Sequence, residues 1–178
     1  MTDLTRRRMC AAALALPLAA SLRVARAAET AGPPYTFRGR SYAPTGSRVA
    51  RRMTWTGPLP FDRTYAELTP GEIAYMRDQY DKIDADEEPP FPVDGLRVIF
   101  DAFDLAIDPS TPRFDPGPVV LVAKVDDKGA VDSVAVYKSP HTFVTSALTQ
   151  ALLKTPFKPA RKAGTPVAMP FLLKVDLQ

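Results

Sequence analysis

The sequence predicts an α+β fold, with strands and one helix in residues 109–178 and two further helices ahead of them. Three observations carry this. Val119 to Asp126 is a dense β-branched run, and Asp127-Lys128-Gly129 turns the chain into a second such run, Val131 to Lys138. Phe143, Ala147, Leu148, Ala151 and Leu152 then recur at helical spacing. Finally Val167, Met169, Phe171, Leu173, Val175 and Leu177 alternate with more polar neighbours at period two.

Each element has local reasons. Val131 and Val134 differ in parity, which predicts a β-bulge near Asp132-Ser133. Ser139 is suited to cap the helix with Pro140 at its first position, and Pro156 forces its end. The last strand presents one apolar face, while Ala168, Pro170, Leu172, Lys174 and Asp176 fill the other. Pro170 cannot donate to a ladder, so one edge of that strand is expected to be open. An open edge is either a liability or a docking surface.

Residues 66–108 hold twelve acids against three cations, a net charge of −9. Thr69-Pro70-Gly71-Glu72 is a helix start with a cap, a proline and a carboxylate that reaches back. Ile73, Met76, Tyr80 and Ile83 mark the apolar stripe, and Glu87 to Pro92 end it. A second helix is predicted from Asp94 to Ile107, on Leu96, Ile99, Phe100, Phe103 and Ile107. Residues 28–65 carry a net charge of +4 and much Pro, Gly and Arg without a sustained period. They read as irregular or disordered, with Tyr35, Phe37, Tyr42 and Trp55 as docking side chains.

Residues 1–27 read as an export signal. Paired arginines precede the apolar run Met9 to Leu22, and Ala25-Arg26-Ala27 is a small-x-small cleavage site that would leave Ala28 as the first residue. The arginine pair fits a twin-arginine signal, and the run is too short for a spanning helix. The expected location is therefore periplasmic. Residues 1–27 contain five arginines and one aspartate, so their loss takes the net charge from +3 to −1. That leaves no overall basic footprint for nucleic acid. The one cysteine, Cys10, leaves with the signal, and with it any disulfide, thiolate nucleophile or cysteine metal site.

Nothing in the sequence assembles a catalytic set. His141 is the single histidine and reads as an exposed side chain at a helix start, because catalysis needs a positioned base and nucleophile together. Asp84 to Glu88 is acidic but lacks the glycine and ligand spacing of a calcium loop. No enzyme activity, metal or cofactor is expected. Lys158, Arg161 and Lys162 form a basic loop with two readings. It is ordinary loop surface around a buried Phe157, or it meets an acidic partner, peptidoglycan or lipid head groups. A third arrangement is internal, with the acidic segment lying against the basic C-terminal part and covering the open edge.

Val125 to Val131 around the Asp-Asp-Lys-Gly turn, Val136-Tyr137-Lys138-Ser139-Pro140, Phe157-Lys158-Pro159-Ala160, Gly164-Thr165-Pro166-Val167 and Pro170-Phe171 occur in that order over about 60 residues. In order and spacing this resembles the C-terminal domain of TonB-family proteins. The resemblance implies a three-stranded antiparallel sheet with a helix packed on one face. It also implies that the final strand pairs with a short peptide of an outer-membrane transporter. Carried over, the partner-binding residues are Val167, Ala168, Met169, Pro170, Phe171, Leu172, Leu173, Lys174 and Val175. The chain departs from the family pattern. Met9 to Leu22 contains no histidine of the kind the family's anchor uses, and the long proline-rich spacer is missing. The expectation is thus an exported module that recognises a protein or peptide of the cell envelope by strand addition. A second copy pairing through the same strand is an alternative occupant. The rival readings are a membrane-anchored energy transducer and a structural envelope module that binds cell wall.

Overall fold

The computed structural model describes residues 34–111 and 114–178. The arginine-rich signal and Ala25, Ala27 and Ala28 lie outside them. The elements run β1 (Tyr35–Tyr42), β2 (Arg51–Gly57), α1 (Pro70–Asp78), β3 (Glu87–Glu88), β4 (Phe91–Pro92), α2 (Arg97–Leu105), β5 (Gly117–Val125), β6 (Val131–Lys138), α3 (Thr142–Lys154), β7 (Phe157–Lys158), β8 (Ala160–Lys162), β9 (Thr165–Val167) and β10 (Met169–Leu177). The fold is α+β. Its main sheet has five antiparallel strands in the order β1-β2-β10-β5-β6.

The three predicted strands are β5, β6 and β10, but they are only part of the sheet. Residues 35–42 and 51–57, expected to be irregular, supply β1 and β2. Arg38, Arg51 and Arg52 point to solvent, while Phe37, Met53 and Trp55 point into the core. Trp55 is fully buried, with its ring 5.1 Å from both Phe100 and Phe103 of α2. Burial of these rings is what holds an otherwise arginine-rich, glycine-containing segment in a sheet. They are core side chains rather than docking ones.

The acidic segment forms two helices, as expected. The cap of α1 is complete. The Thr69 hydroxyl accepts from Glu72 N at 3.3 Å, and Glu72 accepts from Thr69 N at 2.6 Å. The helix ends at Asp78, so Tyr80 and Ile83 fall beyond it. Helix α2 begins at Arg97 rather than Asp94, after the turn in which Gly95 N donates to Pro92 O. It is tied to β1 through the backbone of Arg40, whose N–H donates to Asp104 Oδ2 at 2.6 Å. The other oxygen of Asp104 packs against Gly39, where a Cβ has no room.

The bulge in β6 lies where parity placed it: Lys124 pairs with Ser133 and Val125 with Val131, leaving Asp132 over. A second irregularity leaves Tyr137 over in the same way. The cap of α3 is His141 rather than Ser139. Its Nδ1 accepts from Phe143 N at 3.1 Å, and the ring is half-buried against Phe114. The last strand breaks at Ala168. Thr165–Val167 pairs with β8 in a small sheet of its own, and Met169–Leu177 enters the main one.

Candidate partner-binding site at the last strand

The apolar face of β10 is set as its sequence requires. Phe171, Leu173, Val175 and Leu177 are buried, and Lys174 and Asp176 are exposed. Its outer edge is the candidate site; expected to be open at Pro170, it is instead engaged at both ends. Strand β2 pairs with it at Asp176 and Leu177, and Gln178 N donates to Thr54 O at 2.9 Å. At the other end the Tyr80 hydroxyl donates to Pro170 O at 2.7 Å. A second copy pairing along the whole of this edge would have to displace β2 at Asp176 and Leu177 and Tyr80 at Pro170.

Between these two points the ladder stops. The register that places Thr56 opposite Asp176 would place Pro58 opposite Lys174 and Pro60 opposite Leu172. Those are the positions whose N–H groups would have to reach β10, and neither proline has one. Tyr75 and Met76 of α1, Gln79 and Tyr80 just beyond it, and Gly57 to Leu59 line the gap beside Phe171 to Val175. The pocket between them has a volume of about 30 Å³, room for a water or two and not for a peptide. A strand can reach Leu172 and Lys174 only if α1 and Tyr80 move aside.

What holds α1 down is mostly polar. Glu72 is buried and accepts from the Tyr35 hydroxyl, from Thr69 N and from Arg63 Nη1 at 3.3 Å. Burial alone would raise its carboxyl pKa, but these donors together hold it below the usual range. From the last turn of the helix, Arg77 donates to the carbonyls of Asp84 and Glu87. The apolar anchors are Leu68 and Met76.

The basic loop meets this same segment. Lys158 Nζ lies 2.7 Å from Glu88 and 4.0 Å above the Tyr65 ring. Lys162 Nζ lies 2.8 Å from Asp84 and 2.9 Å from Glu87, and hydrogen bonds to both carboxylates keep the ammonium charged. Arg161 stands opposite Glu88 in the β3–β8 ladder. The internal arrangement is the one the structure adopts for these cations. No group of three or more metal-binding side chains occurs among the described residues.

No family model, curated protein or solved structure matches this chain.

Glu72→Ala leaves the Tyr35 hydroxyl and the Thr69 N–H without their acceptor. It should cost about 2 kcal/mol in thermal or denaturant unfolding at pH 7. The sign with pH follows from the depressed pKa. The stabilisation by Glu72 is present above its unfolded-state pKa and is lost as pH falls through the folded one. The gap between the two proteins should therefore narrow on acidification; a gap that stays constant into acid would show that the carboxylate contributes little.

Proposed function

We propose that this chain is a periplasmic peptide-recognition module of TonB-like type, whose last strand accepts an extended segment of an envelope protein. One observation carries the reading: β2 pairs with β10 only at Asp176 and Leu177, so the outer edge is left without a strand partner at Leu172 and Lys174, where the continued register would call on Pro58 and Pro60. An incoming strand brings the two N–H groups that those prolines lack. In this reading α1 is a cover. It seats on the same edge through Tyr80 and gives way to the partner. The basic loop then belongs to the cover's fastening and is not itself the docking surface.

Leu172→Pro tests this without disturbing the fold. Even-numbered residues of β10 direct their backbone away from β5, as Pro170 O and Gln178 N show, so the substitution costs no β5–β10 bond. A photo-crosslinking side chain at Lys174, in the protein expressed in its native cells, should trap an envelope protein through a short extended segment. Leu172→Pro should abolish the crosslink, and Tyr80→Phe should strengthen it. A folded Leu172→Pro variant that still crosslinks to the same segment would sink the proposal.

A second reading has its own support. The tight roof over Leu172 and Lys174 suits a structural module that covers its edge permanently. In that case no crosslink forms and Tyr80→Phe changes nothing. The intact mass of the protein from the envelope separates the locations: a chain beginning at Ala28 in the soluble fraction fits the periplasmic reading, and a full-length chain in the membrane fraction does not.

A further inference from the structure

The sheet ends at β6, which pairs only with β5. The two irregularities at Asp132 and Tyr137 bracket a regular stretch, Ser133 to Val136, with no charged residue in it. In β5 the even-numbered residues bond toward β6, because the odd-numbered ones face β10. Val122 opposite Ala135 and Lys124 opposite Ser133 are thus the bonded pairs, and Val134 and Val136 direct their N–H and C=O groups outward. Their side chains share the face of Leu121 and Ala123, which is the core face, yet Val136 is 46% exposed.

We propose that β6 is an interface between two copies of this chain, joined antiparallel about a two-fold axis at Ala135. The argument is self-complementarity. An axis at Ala135 sets Val134 opposite Val136 of the second copy, and these are outward-bonding residues that exchange backbone hydrogen bonds as a pair. With Tyr137 and Asp132 both bulged, the same axis sets Lys138 opposite Ser133 of the second copy and beside its Asp132, twice. Both side chains lie on the face away from the core, since Asp132 reaches Lys124 at 3.7 Å and Lys138 stands opposite Val120. Exposed Val136 then packs on Val134 across the axis and continues the core between the copies. The result is one sheet of ten strands. Without residues 1–27 the chain carries a net charge of −1, which offers little repulsion to two copies.

Sedimentation of the protein tests the register. The wild type should pass from monomer to twice the monomer mass as concentration rises. Asp132→Lys sets like charges beside each other at both ends, and so does Lys138→Asp, so each variant alone should remain monomeric. Mixed in equal amounts, the two should associate, because the mixed pair restores both attractions. No other occupant of the edge predicts that result. Val134→Pro removes only an outward N–H and should leave a folded monomer. As a separate measure, Ala135→Cys in a Cys10→Ser background should crosslink to itself under mild oxidation, while Ser133→Cys should not. A wild type that is monomeric at all concentrations overturns the proposal. So does a dimer that ignores Val134→Pro, or a mixture of the two charge variants that stays monomeric.

Discussion

Trp55→Ala should destabilise the protein by about 3–5 kcal/mol, the range for emptying a large aromatic from a packed core. Trp55 sits on β2 and is fully buried, with Phe100 and Phe103 both 5.1 Å from its ring. The cavity left behind would lie between the sheet and α2, where Phe37 and Phe61 also pack on Phe100. Trp55→Phe is the matching control. The indole N–H is buried without a partner, so the smaller ring removes an unsatisfied donor along with some volume. It should cost clearly less than alanine. Denaturant unfolding followed by circular dichroism checks both. A small loss for Trp55→Ala would mean that β1 and β2 are a detachable arm. Removal of residues 28–108 should unfold the protein in either case, since it also takes away Phe91, Phe100 and Phe103. Only α1 and Tyr80 are free to act as a cover.

Gly129→Ala should be as severe, at least about 3 kcal/mol. Gly129 has φ +86°, and a Cβ there would run into the Phe157 carbonyl oxygen. The approach is close because Phe157 N donates to Gly129 O at 2.9 Å, which pins the β5–β6 turn to the segment after α3. Phe157 in turn packs on Phe171, ring to ring at 5.0 Å, at the start of β10. Alanine would therefore push apart the turn and the chain that feeds the central strand. Gly164→Ala is the comparison. It has a similar φ of +80° and open space around the missing Cβ, so it carries the conformational cost alone. Equal losses at the two glycines would show that the contact with Phe157 is loose.

How far the sequence revealed the fold depends on how each strand is buried. Met169–Leu177 alternates cleanly because one face is core and the other solvent, and Val119 to Val125 is β-branched because it lies in the middle of the sheet. Both signals are strong. Arg52-Met53-Thr54-Trp55-Thr56 alternates too, but five residues among so many prolines, glycines and arginines did not stand out. That alternation was the available clue to β2, and with it to the partial pairing of β10. Pro170 predicts an open edge at its own position; the ladder with β2 does stop short of it, but there the Tyr80 hydroxyl meets the Pro170 carbonyl. The decisive prolines, Pro58 and Pro60, are 110 or more residues away, and no local pattern tells which strand they face.

Strand order also sets when this sheet can form. β10 lies between β2 and β5, and the contact between Gln178 and Thr56 spans 122 residues. The two halves of the sheet therefore have no common strand until the polypeptide is available through Leu177. Closing so long a loop precedes any reward from the contact, which slows folding. Until then β2 and β5 each expose an edge, and β5 is rich in apolar side chains. A nascent chain of this kind needs protection from aggregation for as long as its last nine-residue strand is missing.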